Sequence, residues 1–166
     1  GHLIGQHNLA AKGAFHYEDL LRVPFIVRWA GHFPENKVSD SLISFVDFAP
    51  TILSLCGLSI PKTMSGVDQT EVLFWKKENV RKWVIVENRH EPTTIHLKTY
   101  IDRRYKITVY FRKEYGELFD LENDPNENNN LWNEPEYKEL KQYLIKQLLF
   151  AEMEKEPLWM PRVWSA

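Results

Sequence analysis

Hydrophobic residues fall in two rhythms along this chain, in blocks at first and in alternation later. The first thirteen residues have no sustained period and hold Gly1, Gly5 and Gly13, which is loop behaviour, before Tyr17-Glu-Asp-Leu-Leu21 predicts a short helical turn. Pro24 then opens Phe25-Ile-Val-Arg-Trp29, near-continuously apolar and closed by Gly31, the pattern of a strand buried on both faces of a parallel α/β sheet. One such strand is not a sheet, so its neighbours are expected in sequence outside this chain. Asp47 reads as the N-cap of a helix over 48–56, with Pro50 in the first turn and Gly57 past the end. Residues 61–67 read as a loop, 68–75 as a short helix and 76–81 as a polar break.

From residue 83 the rhythm changes. Trp83-Val-Ile-Val-Glu87, Ile95-His-Leu-Lys-Thr-Tyr100, Tyr105-Lys-Ile-Thr-Val-Tyr110 and Glu117-Leu-Phe-Asp120 are rich in β-branched and aromatic residues with turn signals between them, which predicts a small antiparallel sheet. Asn123-Asp-Pro125 ends the last strand, and residues 125–130 form a polar, turn-prone link. Tyr137, Leu140, Leu144, Leu148 and Ala151 then recur at helical spacing, predicting an amphipathic helix to about Met153 that packs on the sheet. The tail 157–164 carries too many prolines for regular structure and too many large apolar groups for simple solvation, so it is expected to run across a surface.

Composition narrows the function classes. With 166 residues, 43% hydrophobic and 27% charged, the chain can bury a core and is not disordered. A net charge of -2, with no basic cluster beyond Arg103-Arg104 and Lys76-Lys77, argues against nucleic acid as a partner. The single Cys56 excludes an internal disulfide and reads as a small buried apolar residue, leaving the compartment open. No apolar run approaches the ~20 residues of a membrane span, and the first residues lack the basic and apolar regions of a signal peptide.

The candidate chemistry lies mostly at the start. Lys12 stands between Ala10-Ala11 and Gly13-Ala14, small residues that let backbone approach a ligand and leave the ammonium as the dominant local charge, which suits an anionic substrate. His7 can donate to the same anion or titrate near neutrality. His2, His16, His32, His90 and His96 are scattered without acidic or thiolate neighbours at ligand spacing, so no complete metal site is expected within the chain. Glu18 and Arg22, four apart, read as a structural ion pair.

These residues also carry a resemblance. Gly1-His-Leu-Ile-Gly5-Gln-His7-Asn-Leu-Ala-Ala-Lys12-Gly13, then Tyr17-Glu18 and Leu21-Arg22-Val-Pro24, resembles the middle of type I sulfatases of the alkaline phosphatase superfamily. Trp29-Ala-Gly31-His-Phe-Pro34, Val46-Asp47-Phe-Ala-Pro50-Thr51, Gly57-Leu-Ser-Ile-Pro61, Gly66, Arg104-Tyr-Lys106 and Gly116-Glu-Leu-Phe-Asp120-Leu-Glu-Asn-Asp124-Pro125 follow in family order, so the match spans residues 1 to about 132. The resemblance implies an α/β fold: residues 1–79 as the C-terminal part of the large sulfatase domain, and 80–166 as a small subdomain of antiparallel sheet, helix and tail.

It further implies a sulfuric ester hydrolase that uses formylglycine and Ca2+ on a sulfated small molecule or glycan. By position Lys12 matches the sulfate-binding lysine, and His7 matches a histidine in a Gly-x-His-Gly run, with Asn8 in place of the second glycine. Glu87, Asn88, Arg89 and His90, leaving the first strand of the small sheet, are candidates for substrate contact. The formylglycine motif and metal ligands belong to an N-terminal region outside these residues, and Cys56-Gly-Leu-Ser-Ile lacks the proline and arginine such a motif requires. The chain alone is therefore expected to be inert. A phosphonate or phosphate ester hydrolase of the same superfamily, or a non-catalytic module derived from a sulfatase, are the alternatives. A periplasmic or secreted location would suit the parent enzyme.

Overall fold

The computed structural model describes residues 1–90 and 95–155. In chain order they form β1 (Leu3–Ile4), β2 (Ala10–Ala11), α1 (Glu18–Leu21), α2 (Phe48–Leu55), α3 (Thr70–Leu73), β3 (Val84–His90), β4 (Ile95–Ile101), β5 (Tyr105–Tyr110), β6 (Gly116–Asp120) and α4 (Lys138–Glu154). Two compact units result. One joins Gly1–Ile26 to Ile85–Ala151, and the other joins Val27–Val84 to residues 152–155. The first 26 residues thus cluster with the sheet-bearing residues.

In the first unit, β3, β4, β5 and β6 lie side by side in chain order, with antiparallel pairing of β4 to β5 and of β5 to β6. The register sets Thr99 opposite Thr108, Thr108 opposite Glu117, and Lys106 opposite Phe119. Because side chains alternate across a pleated sheet, those residues share one face, while Tyr100, Ile107 and Leu118 share the other. The polar residues of the first face are closed off from water, with Thr99, Lys106, Thr108 and Glu117 all at most 4% exposed. Residues 16–18 satisfy its polar groups. His16 Nδ1 lies 2.7 Å from Thr99 Oγ1, the Tyr17 hydroxyl donates to Glu117, and the Glu18 carboxylate meets Lys106 at 3.2 Å.

Lys106 also pairs with Glu127 at 2.5 Å, and Glu127 accepts the Glu18 backbone N–H at 2.6 Å. The expected pair of Glu18 with Arg22 does not form, because the buried Lys106 claims the Glu18 carboxylate and Arg22 stays exposed. In α4 the buried positions are Leu144, Leu148 and Ala151, the stripe its spacing predicts.

The second unit is organised around Asp47, which is fully buried. Asp47 precedes α2, but its side chain does not cap that helix. Its carboxylate instead accepts the backbone N–H groups of Ser44 and Val67, the Gln69 amide, and Arg81 through Nε at 3.0 Å and Nη2 at 2.5 Å. Taking both charges out of water is costly, and five donors on one carboxylate offset that cost.

Two expectations are corrected. Phe25–Trp29 forms no strand, with Ile26 90% exposed, because no neighbouring strand offers it a ladder. Cys56 is exposed rather than buried, since it caps the C-terminal end of α2 beyond its packed turns. The tail 157–164 lies outside the described residues.

Candidate active site

The first strands make a tight hairpin, with Leu3 opposite Ala11 and Ile4 opposite Ala10. Its loop is closed by Gly5 N–H to Leu9 C=O at 3.0 Å, Leu9 N–H to Gln6 C=O at 2.9 Å, and Ile4 N–H to the Gln6 side chain at 2.8 Å. The turn requires left-handed backbone at His7 (φ 53) and Asn8 (φ 57), and Ala11 (φ 69) adopts it too. Asn tolerates this region well, whereas for His and Ala it costs about 1–2 kcal/mol each. Local strain of this kind concentrates where a side chain must be aimed.

The hairpin holds His7 in its loop and Lys12 one residue past Ala11, at the opposite end of the two-pair ladder. Both candidates thus belong to one small element, although no contact joins them. Lys12 is exposed and, among the described residues, makes no hydrogen bond or ion pair. Its ammonium is therefore available to an anion. His7 is half-buried, and its imidazole stacks on the Tyr17 ring with centroids 3.8 Å apart and planes 12° off parallel. Stacks of this type contribute about 0.5–1.5 kcal/mol beyond area burial.

Beneath His7 lies a group that sequence reading missed. The Glu117 carboxylate, 4% exposed, accepts three phenol hydroxyls: Tyr17 at 3.2 Å, Tyr115 at 3.1 Å and Tyr110 at 3.0 Å. Burial, reinforced by the Glu117 charge, raises the pKa of all three phenols, that of Tyr115 to about 12, so they remain donors through the neutral range. Glu117 lies inside a strand that is buried at every position, Gly116–Asp120, which the sequence does not announce. Such a charge must find partners within the fold.

Comparison with known proteins places this arrangement. The family described as N-sulphoglucosamine sulphohydrolase, C-terminal, matches residues 5–155. The chain belongs to this sulfatase C-terminal family. An arylsulfatase of Clostridium perfringens is 31% identical over 157 residues, covering 93% of this chain and 32% of that protein. A Delta 4,5-hexuronate-2-O-sulfatase of Bacteroides thetaiotaomicron is 28% identical over 142 residues, covering 82% of this chain and 30% of that protein. A solved sulfatase-family structure from Bacteroides thetaiotaomicron superposes with a TM-score of 0.81 at 26% identity, covering 91% of this chain and 34% of that one. The sulfatase chain therefore spans about a third of the length of the relatives it matches.

The four remaining sulfatase candidates do not converge as a group. Strand β3 carries all of them, but its pleat puts Glu87 and Arg89 on one face and Asn88 on the other. Glu87 is also committed to Lys98 at 2.8 Å. Asn88 is half-buried and Arg89 exposed, while the side chain of His90 lies outside the described residues. Among the described residues, no three His, Cys, Asp or Glu side chains gather where they could hold a metal ion. A cavity of the second unit, about 220 Å³ and bounded by residues such as Trp29, Glu71 and Phe74, includes none of the candidate residues in its lining.

Proposed function

We propose that the protein to which this chain belongs hydrolyses sulfate esters, and that Lys12 binds the sulfate group. The observation carrying this reading is the unpaired, exposed Lys12 ammonium at the mouth of a strained hairpin in a sulfatase-family chain. A sulfate monoester is an anion whose oxygens gain charge as the ester bond breaks. A cation beside them stabilises the transition state more than the ground state. His7, with its ring nitrogens open to a ligand, supplies an N–H to the same oxygens or a proton to the departing one. The substrate is a sulfated small molecule or glycan, a class supported by the hexuronate sulfatase among the relatives. Glu87, Asn88, Arg89 and His90 are proposed substrate contacts, of which Arg89 is best suited to a second anionic group.

Sulfatase chemistry implies formylglycine as the nucleophile and Ca2+ as the ion that polarises the sulfate. Neither fits the residues described: no ligand cluster exists among them, and Cys56 lacks the flanking proline and arginine. In this reading their seats lie in residues outside these 166, which alone are expected to be inert. The proposed organisation, residues 1–79 completing a large α/β domain and 80–166 forming a smaller one, follows from the same reading.

The test is turnover of an aryl sulfate by the intact protein. Lys12→Ala is expected to lower kcat/KM by well over tenfold, which is more than about 1.4 kcal/mol of transition-state stabilisation. Near-normal turnover would remove Lys12 from the site. Hydrolysis of an aryl phosphonate but no sulfate ester would shift the reading to the phosphonate hydrolases, and inertness of the intact protein toward both would favour a binding module.

A further inference from the structure

Among the described residues neither ring nitrogen of His7 has a hydrogen-bond partner, so both are free to face a ligand and neither fixes the ring. Its plane follows the stack on Tyr17, 12° off parallel. That ring is itself held at several points. Its hydroxyl donates to the buried Glu117 at 3.2 Å, the same carboxylate is pinned by Tyr110 and Tyr115, and Phe15 and Phe119 flank it with centroids 6.0 and 6.3 Å away. His7 sits in a loop at φ 53, where backbone geometry alone leaves an imidazole free to rotate about its side-chain bonds.

We propose that Tyr17, anchored by Glu117, is a positioning residue for His7: it presents the imidazole in one plane with both nitrogens uncommitted. The proposal rests on the reading of His7 as a partner of the sulfate ester. Tyr17 does not touch substrate. Its hydroxyl is committed to a carboxylate on the sheet, and its ring face is covered by the imidazole. The arrangement gives a loop-borne histidine the rigidity of the sheet beneath it, which a proton donor or hydrogen-bond donor needs for its geometry to be productive.

The experiment uses the intact protein and two readouts. In protein labelled at histidine, the His7 ring protons are expected to resonate upfield through the ring current of Tyr17. Tyr17→Phe keeps the ring and should keep this displacement, and Tyr17→Leu should abolish it. His7 protons at ordinary histidine positions in the unmodified protein would overturn the stack without any variant needing to fold. In turnover, His7→Ala is expected to lower kcat about tenfold or more, equivalent to about 1.4 kcal/mol. Tyr17→Leu should match that loss mainly in kcat, Tyr17→Phe, which keeps the stack but loses the anchor on Glu117, should recover only part of it, and the double variant His7→Ala/Tyr17→Leu should be no worse than His7→Ala alone. Additive losses in the double variant would reduce Tyr17 to a general structural role and overturn the proposal. An unaffected His7→Ala enzyme would defeat the assignment of His7 instead, and the resonance measurement would still decide whether Tyr17 orients it.

Discussion

His16 is buried at 4% exposure, with Nδ1 2.7 Å from Thr99 Oγ1, which lies 2.7 Å from Thr108 Oγ1. Burial, aided by the positive charge of Lys106, lowers its pKa from 6.5 to about 4. Between those values the unfolded chain binds a proton that the folded chain refuses, so stability rises with pH across that window and falls as the medium is acidified. Over the full window the loss is about 3 kcal/mol at 1.36 kcal/mol per pKa unit. His16→Asn, which keeps a neutral polar group near Thr99, is expected to flatten the stability profile between pH 6.5 and 4 measured by urea unfolding. An unchanged slope would mean that His16 is not the group responsible. At this scale the sequence marks only what is local: Lys12 stands out as a candidate because small residues surround it. Tyr17 and Glu117 carry no local mark, because they meet only after the chain has closed a separation of 100 residues.

Strands β3 to β6 and the long helix α4 were readable because β-branched and aromatic clusters and a 3.6-residue period report local preference and burial together. Phe25–Trp29 has the same apolar signature and no strand, since a ladder needs a neighbour that residue preference cannot supply. The clusters that marked β5 could not say that one of its faces would be covered by residues 16–18. Element β6 also depends on a glycine. A Cβ at Gly116 would stand 2.4 Å from the Trp132 ring, and that ring is held by its indole N–H to Glu114 C=O at 3.1 Å. Gly116→Ala is therefore expected to destabilise the chain by about 1–3 kcal/mol through overpacking, read from the urea midpoint. A variant with the parental midpoint would show that Trp132 can move aside.

Across the whole molecule, each of the two compact units has its own buried polar centre, Lys106 with its glutamates in one and Asp47 with Arg81 in the other. Asp47 gathers donors from positions 44, 67, 69 and 81, so it ties distant segments rather than one helix. Asp47→Asn leaves Arg81 buried without its countercharge and is expected to cost about 3–5 kcal/mol. Hydrogen exchange should then show lost protection across Val27–Val84 with less change in β4 to β6. Unaltered protection in that unit would mean the pair is dispensable. Motifs in order along the chain gave the family, while the contacts of residues 16–18 with the sheet could not be read, because they are made by single side chains far apart in sequence.

Those long-range contacts have a consequence for how the protein is made. The hairpin bearing His7 and Lys12 is complete within the first dozen residues, yet Tyr17 waits for Glu117, and the Glu18 backbone waits for Glu127, 109 positions later. On a ribosome adding roughly 5–20 residues per second, the hairpin emerges several seconds or more before the sheet that anchors it exists. Loop closure over such a distance adds its entropic cost before any contact rewards it. The segment that names the family is thus synthesised well before the residues that give it its shape, which makes the nascent interval the time when it most needs protection.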